Sequence, residues 1–352
     1  MIPRPRRKNF FHAISAAIAA TAAIALTACT PGGNTPASGA APTSGSTQGG
    51  ASSVTIGLTY IPNVQFSPVY VAKKEGIYRA AGIDATIRHH GNKEGLFTAL
   101  TSGEEDVVVA SGDEMLQARE AGMDLVSIGT YYHTHPVVTI VPEDSTIKTI
   151  ADLKGKRIGV PGQSGSNWYS LLSMLSHAGL TQNDVTVIPV GFNQQAALAQ
   201  KEVDAAVGFV NNDFVQMKQA GMKVRTLDIP EGTIPLVSSS IITTRKWLDE
   251  NPDQAKAVVD ATVSGIDRVI ENPQHAIEAT QEHDPALSGD AAVNARAVLD
   301  STIPLWKTAD GKTSGKQNRA LWTSMGNFYL TVPEVLNEKP DLEQAVVDVA
   351  SR

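Results

Sequence analysis

Apolar residues follow distinct rhythms along this chain, and each rhythm predicts a different kind of structure. Residues 10–26 form one apolar stretch, mostly alanine and isoleucine, behind Arg4, Arg6, Arg7 and Lys8. A basic start, a short apolar run and small residues at its end are the layout of a secretory signal. The run is too short and too alanine-rich for a membrane span, which takes about 20 strongly apolar residues. Residues 30–53 have no apolar rhythm; they are Gly, Ser, Thr, Ala, Pro, Asn and Gln without one charge. Such a segment cannot build a core and is not rigid, so it reads as a tether with a reach of about 25–30 Å.

From residue 54 onward, short β-rich runs alternate with helical patterns. Strands are predicted over 54–58, 106–110, 125–128, 157–160, 185–190 and 203–209, the βαβ signature of parallel α/β sheets. A helix over 168–178 places Leu171, Met174, Leu175 and Ala178 on one face and stops at Gly179. Two segments echo each other. Glu105-Asp106-Val107-Val108-Val109 leads through a helix to Ala121-Gly122-Met123, and Glu202-Val203-Asp204-Ala205-Ala206-Val207 leads through another to Ala220-Gly221-Met222. The two spacings differ by one residue, which predicts a duplicated topology.

After Ser240 the pattern turns helical. Asn251 is placed to cap, Pro252 sits at the first helical position, and Ala255, Val258, Val259, Thr262, Ile266, Val269 and Ile270 form one stripe. This block lacks a sheet of its own and is expected to pack back on the first lobe. The chain would then cross between lobes near 139–142 and 238–244. The predicted division is 1–28 signal, 29–53 lipidated cysteine and tether, 54–140 plus 243–352 first lobe, and 141–242 second lobe. Two lobes on two crossovers can close over a ligand by hinge bending.

Composition narrows the chemistry. The chain holds a single cysteine, Cys29, within Leu26-Thr27-Ala28-Cys29, which resembles the bacterial lipobox. Lipidation there would anchor the protein to the outer face of the cell membrane without any further span. With Cys29 consumed, disulfides, thiol catalysis and cysteine-metal sites are excluded. Formal net charge is −7, and loss of the signal's four basic residues lowers it to −11. Nucleic acid is therefore excluded as a partner, and a monomer is expected.

In parallel α/β lobes the loops after the strand ends face the cleft. Here they are 59–66, 111–114, 131–133, 161–169, 191–194 and 211–213. Aromatics are 5% of the chain, yet they gather in these loops together with amides and carboxyls. Flat rings stack on flat rings, and amides both donate to and accept from a heterocycle's edge. Tyr60 and Trp168 are the expected stacking walls. Asn63, Gln65, Asp113, Glu114, Asn193 and Asn212 would read the edge, with Tyr131, Gln163 and Ser166 completing the site. About half of the loop aromatics, Phe66 and Phe192 first, are expected to fill the core beneath. No Lys or Arg occurs in these loops. An anion would depend on backbone N–H groups of 162–167 ahead of the Trp168 helix.

Taken in order, the loops resemble a substrate-binding family that includes bacterial receptors for thiamine pyrimidine precursors, riboflavin and alkylsulfonates. The resemblance runs over about residues 54–245. It rests on Pro62-Asn63 followed by Tyr70-Val71-Ala72-Lys73-Lys74-Glu75-Gly76-Ile77-Tyr78, on Asp152-Leu153-Lys154-Gly155-Lys156 before Ile158-Gly159-Val160, and on Val190-Gly191-Phe192 before Val203-Asp204-Ala205. It implies an α/β, two-lobed periplasmic binding protein type II fold with two interlobe crossovers. It also implies delivery of a small molecule to an ABC permease and its ATPase, with no cofactor. Pyrimidine receptors carry Asp-Trp before the Pro-Asn element and His after it, where this chain has Thr59-Tyr60 and Phe66. Riboflavin-type members look closer at Tyr60 to Phe66, at Ser111-Gly112-Asp113-Glu114 and at Asn211-Asn212; both vitamins stay open, with an alkylsulfonate as the alternative.

Competing readings are an enzyme, a metal receptor and a structural surface protein. Gly162-Gln163-Ser164-Gly165-Ser166 approaches a nucleophile elbow but ends in Ser, and no paired Asp and His follow. The same superfamily holds a fungal pyrimidine-synthesis enzyme, which is cytosolic and has a cysteine cluster. His89-His90 and His133-x-His135 could ligate zinc, but neighbouring strand residues point to opposite faces, so exposed or hydrogen-bonded roles are expected.

Overall fold

The computed structural model describes residues 51–90, 94–230 and 232–352. The signal, Cys29 and all but the last residues of the tether lie outside the described residues. Among the described residues, ten strands form two five-stranded sheets. The first sheet contains β1 (Ser52–Leu58), β2 (Ile83–His89), β3 (Val107–Ser111), β4 (Leu125–Thr130) and β10 (Ser239–Thr244) in the order β2-β1-β3-β10-β4. The second contains β5 (Val137–Pro142), β6 (Arg157–Val160), β7 (Thr186–Pro189), β8 (Ala205–Phe209) and β9 (Val224–Thr226) in the order β7-β6-β8-β5-β9. The architecture is the two-lobed α/β fold that the alternating pattern predicts.

In each sheet one strand runs parallel to two neighbours, β1 between β2 and β3, and β6 between β7 and β8. A fourth strand then runs antiparallel, β10 against β3 and β4, and β5 against β8 and β9. The segments expected to span the lobes are these antiparallel strands. Their β-branched residues complete a ladder, and the chain passes between sheets over 131–136 and 227–238 instead. β1 also begins earlier than expected, because Ser52 and Ser53 pair with Ile83 and Asp84 of β2.

The 252–271 stripe packs as predicted: Ala255, Val258, Val259, Thr262, Ile266 and Val269 are buried and Ile270 is partly so. This helix lies against the Ser67–Lys74 helix so closely that a Cβ on Gly265 would collide with the Pro68 carbonyl. Asn251 does not cap it. Its side chain donates backward to the Trp247 carbonyl at 3.1 Å, leaving Pro252, which lacks an N–H, to start the helix.

Candidate binding site

A cavity of about 490 Å³ opens between the strand ends of the two sheets, within the size range of small-molecule sites. From the first sheet's loops it takes Tyr60, Gln65, Phe66, Ser111, Glu114, Tyr131 and Tyr132; from the second's it takes Gly162, Ser166, Phe192, Gln194, Phe209, Asn212 and Asp213. No Lys, Arg or His lines it among the described residues.

Local folding positions each wall. After β1 the chain turns at Asn63, whose side chain accepts the Gln65 N–H at 3.0 Å and sets the Val64–Phe66 turn. Gln65 and Phe66 face the cavity from this turn, and Tyr131 Oη donates to the Gln65 carbonyl at 2.8 Å. The Tyr60 loop is held from behind. His89 Nδ1 donates to the Tyr60 carbonyl at 3.1 Å, so the neutral ring accepts the Tyr70 hydroxyl on Nε2 at 3.2 Å. Burial lowers the His89 pKa, in keeping with that neutral form.

The two lobes meet through hydroxyls and carboxyls. Ser166, at the start of the Gly165–His177 helix, donates to Asp113 Oδ1 at 3.0 Å, and its Oγ lies 2.9 Å from Ser111 Oγ. Asp113 Oδ1 also accepts the Glu114 N–H at 2.8 Å. Glu114 itself borders the cavity, where burial first and the Asp113 charge second raise its pKa to about 8. Burial also raises the pKa of Asp213, partly offset by the Phe209 N–H bonding it at 2.7 Å.

Of the residues expected at the site, Tyr60, Gln65, Glu114, Tyr131, Ser166 and Asn212 come together around this cavity. Asn63 faces a neighbouring cavity instead. Asp113 lies beneath the wall, fully buried. Gln163 and Asn193 are exposed outside the lining. Trp168 is only 7% exposed and packs in the core; at helical spacing it shares a face with Leu171 and Leu175, both fully buried. Phe192, expected in the core, is 87% exposed at the cavity edge, directly after Gly191, whose positive φ of 60° turns the chain there.

Phe66, Tyr132, Phe209, Gln194 and Asp213 line the cavity without having been singled out as ligand contacts. Phe209 and Asp213 bracket the Asn211-Asn212 pair, and that position at a strand end was their available signal. Among the described residues no group of three His, Cys, Asp or Glu could hold a metal ion. His135 is neither exposed nor hydrogen-bonded. Both ring nitrogens lack a partner, and Nε2 lies 3.9 Å from Asp113 Oδ2.

Two α/β lobes that each contribute strand-end loops to one cavity define a solute-binding receptor. The chain belongs to the NMT1/THI5 like family, which it matches over residues 63–276. It is 32% identical over 333 residues to the riboflavin-binding protein RibY of Chloroflexus aurantiacus, covering 91% of this chain and 92% of that one. A 4-amino-5-hydroxymethyl-2-methylpyrimidine phosphate synthase of Uromyces fabae is 26% identical over 219 residues, covering 59% of this chain and 64% of that one. In structure the chain is similar to the periplasmic aliphatic sulphonate binding protein SsuA of Escherichia coli, with a TM-score of 0.69 and 21% identity, covering 83% and 96% of the two chains. That last likeness concerns the fold alone.

Proposed function

We propose that this protein captures a neutral planar heterocycle, riboflavin in the first instance, outside the cytoplasmic membrane and delivers it to an ABC permease and its ATPase. The carrying observation is a cavity of about 490 Å³ whose edge is aromatic and amide-rich and whose described lining has no cation. Tyr60, Phe66 and Phe209 supply ring faces, while Gln65, Gln194, Asn212 and protonated Glu114 address the heterocycle's carbonyls and ring nitrogens. A sulfonate would instead meet the Asp213 carboxyl with no cation in the described lining to offset it. The RibY likeness over nearly the whole of both chains supports the flavin reading.

The protein acts as a receptor and not as a catalyst in this reading. Cys29 carries the lipid, and no described helix is long and apolar enough to cross a membrane, so the anchor fixes the location. The two lobes, with boundaries shifted from the predicted 140/141 and 242/243 so that β5 and β10 stay whole in their sheets, hinge about the segments between sheets. The test is thermal unfolding of the mature chain carrying Cys29→Ser, with riboflavin, thiamine pyrimidine precursors and small sulfonates. Riboflavin at 100 times its dissociation constant adds about 2.7 kcal/mol. A rise with a sulfonate alone, or with no flavin, removes the proposal.

A further inference from the structure

A second cavity, of about 440 Å³, lies against the first. The two share Asn212, and their walls interleave: Asn63 and Val64 face the second where Gln65 and Phe66 face the first, and Gln195 faces the second where Gln194 faces the first. Their chemistry differs sharply. The second lining contains no aromatic ring, and six of its residues are Asn or Gln: Asn63, Gln195, Asn212, Gln216, Gln219 and Asn294. Two bonds set this amide row: Gln216 Nε2 donates to Asn212 Oδ1 at 2.6 Å, and Gln219 Nε2 donates to the Asn294 carbonyl at 3.1 Å. Leu287, Ala295 and Val298 form an apolar floor. The one charged residue is Asp284, and no Lys, Arg or His lines this cavity among the described residues.

An amide offers a donor and an acceptor side by side, which matches a hydroxyl that also does both. A row of amides over an apolar floor therefore suits a chain of C–OH units, whose carbons rest on the floor and whose hydroxyls face the amides. A phosphate needs cations or a cluster of N–H donors, and here it would face the Asp284 carboxyl. We infer that the second cavity is the subsite for an uncharged polyhydroxylated arm attached to the ring system in the first, and that its lining excludes the phosphorylated arm. This rests on the receptor reading above and names which form of the heterocycle is accepted.

The experiment titrates the mature chain, with Cys29→Ser, against riboflavin, lumiflavin and flavin mononucleotide by flavin fluorescence. Lumiflavin has the same rings with a methyl in place of the arm. It should bind about ten-fold more weakly than riboflavin, since a few net hydrogen bonds are lost. Flavin mononucleotide should also bind at least about ten-fold more weakly, from its phosphate. Combining Gln195→Ala with Gln219→Ala, both on exposed positions and neither in the first cavity's lining, should bring riboflavin down toward lumiflavin and leave lumiflavin unchanged. Equal binding of riboflavin and lumiflavin, with neither changed by the double variant, overturns the arm subsite and leaves the receptor reading standing. Equal weakening of both flavins by the variant also overturns it, and flavin mononucleotide bound as tightly as riboflavin overturns the exclusion. Failure of all three flavins to bind removes the receptor reading and this inference together.

Discussion

The two sheets are built to one plan until the third parallel strand ends, and there they part. Asp106, ahead of β3, accepts the Thr55 N–H of β1 at 2.8 Å; Asp204, ahead of β8, accepts the Arg157 N–H of β6 at 2.9 Å. Each carboxylate thus ties the same two strands at the same end. Beyond them, β3 runs directly into the Gly112–Glu120 helix, whereas β8 runs into a π-helical turn, Val210–Phe214, before its helix over Val215–Gln219. That turn holds the one additional residue between Asp204 and Gly221 relative to Asp106 and Gly122. Single π turns inside helices gather at functional sites, and this one presents Asn212 and Asp213 to the cavity. The shared frame is what ladders and cores require. The cavity opens where the copies differ.

The largest effect should come from forcing one copy to imitate the other at the first departure. Gly112 occupies the position of Val210. A Cβ there would lie 2.7 Å from Val237 Cγ1 and 3.0 Å from Trp322 Cη2, in a core that cannot yield without strain. Gly112→Val should cost about 3 kcal/mol. The reverse exchange, Val210→Gly, should cost about 1 kcal/mol, mainly from backbone entropy. Urea unfolding of both variants measures the asymmetry; equal costs would mean that the two strand exits are interchangeable.

The second effect probes what the copies share. Asp106→Ala and Asp204→Ala should each cost about 2 kcal/mol at pH 7, as each removes a charged acceptor from a strand N–H. Arg157 also bonds Asp204, with Nη2 at 2.7 Å from Oδ1, but both side chains are over a third exposed, so water screens most of that pair's worth. The Arg157 bonds first, and its charge, hold the Asp204 carboxyl below its usual range. A depressed carboxyl stabilises the fold above its unfolded pKa of about 3.9 and loses that contribution as pH falls through the lower folded value. The gap between wild type and Asp204→Ala should therefore close in acid. Costs that differ by more than about 1 kcal/mol between the two sites would break the equivalence.

What the chain reveals before folding divides along the same line. Strand runs, the 252–271 stripe and the Asp106 and Asp204 echo are legible because they repeat, and burial enforces repetition. β2 was missed because Asp84, Thr86 and Arg88 interrupt its apolar residues, as an edge strand with one wet face allows. The site was partly legible. Strand-end position located Tyr60, Gln65, Glu114, Tyr131, Ser166 and Asn212, but position alone says nothing of which way a side chain turns. Trp168 follows the Leu171 and Leu175 face of its helix inward, which outweighs its place at a strand-end loop, and Phe192 turns out to solvent.

The smallest effect concerns the carboxyl that each strand exit lends to the cavity. Glu114 is desolvated, and the neighbouring Asp113 charge opposes its ionisation, so it holds a proton up to about pH 8. Asp213 is also raised by burial, but the Phe209 N–H at 2.7 Å favours its charged form. The cavity thus holds a donor from the first lobe and a better-supported acceptor from the second. For stability the sign follows from linkage. Folding binds a proton at Glu114 between the unfolded pKa of about 4.3 and the folded value, so stability falls as pH rises across that window. Glu114→Gln, which mimics the neutral acid, should match wild type near pH 4 and become the more stable protein by about 1 kcal/mol or more as pH approaches 8. Its flavin affinity should stay level above pH 8, where wild-type affinity declines. Melting temperatures and flavin titrations of both proteins from pH 4 to 9 decide it. Parallel profiles would show that Glu114 is not the proton donor, and would leave the two exits alike in charge.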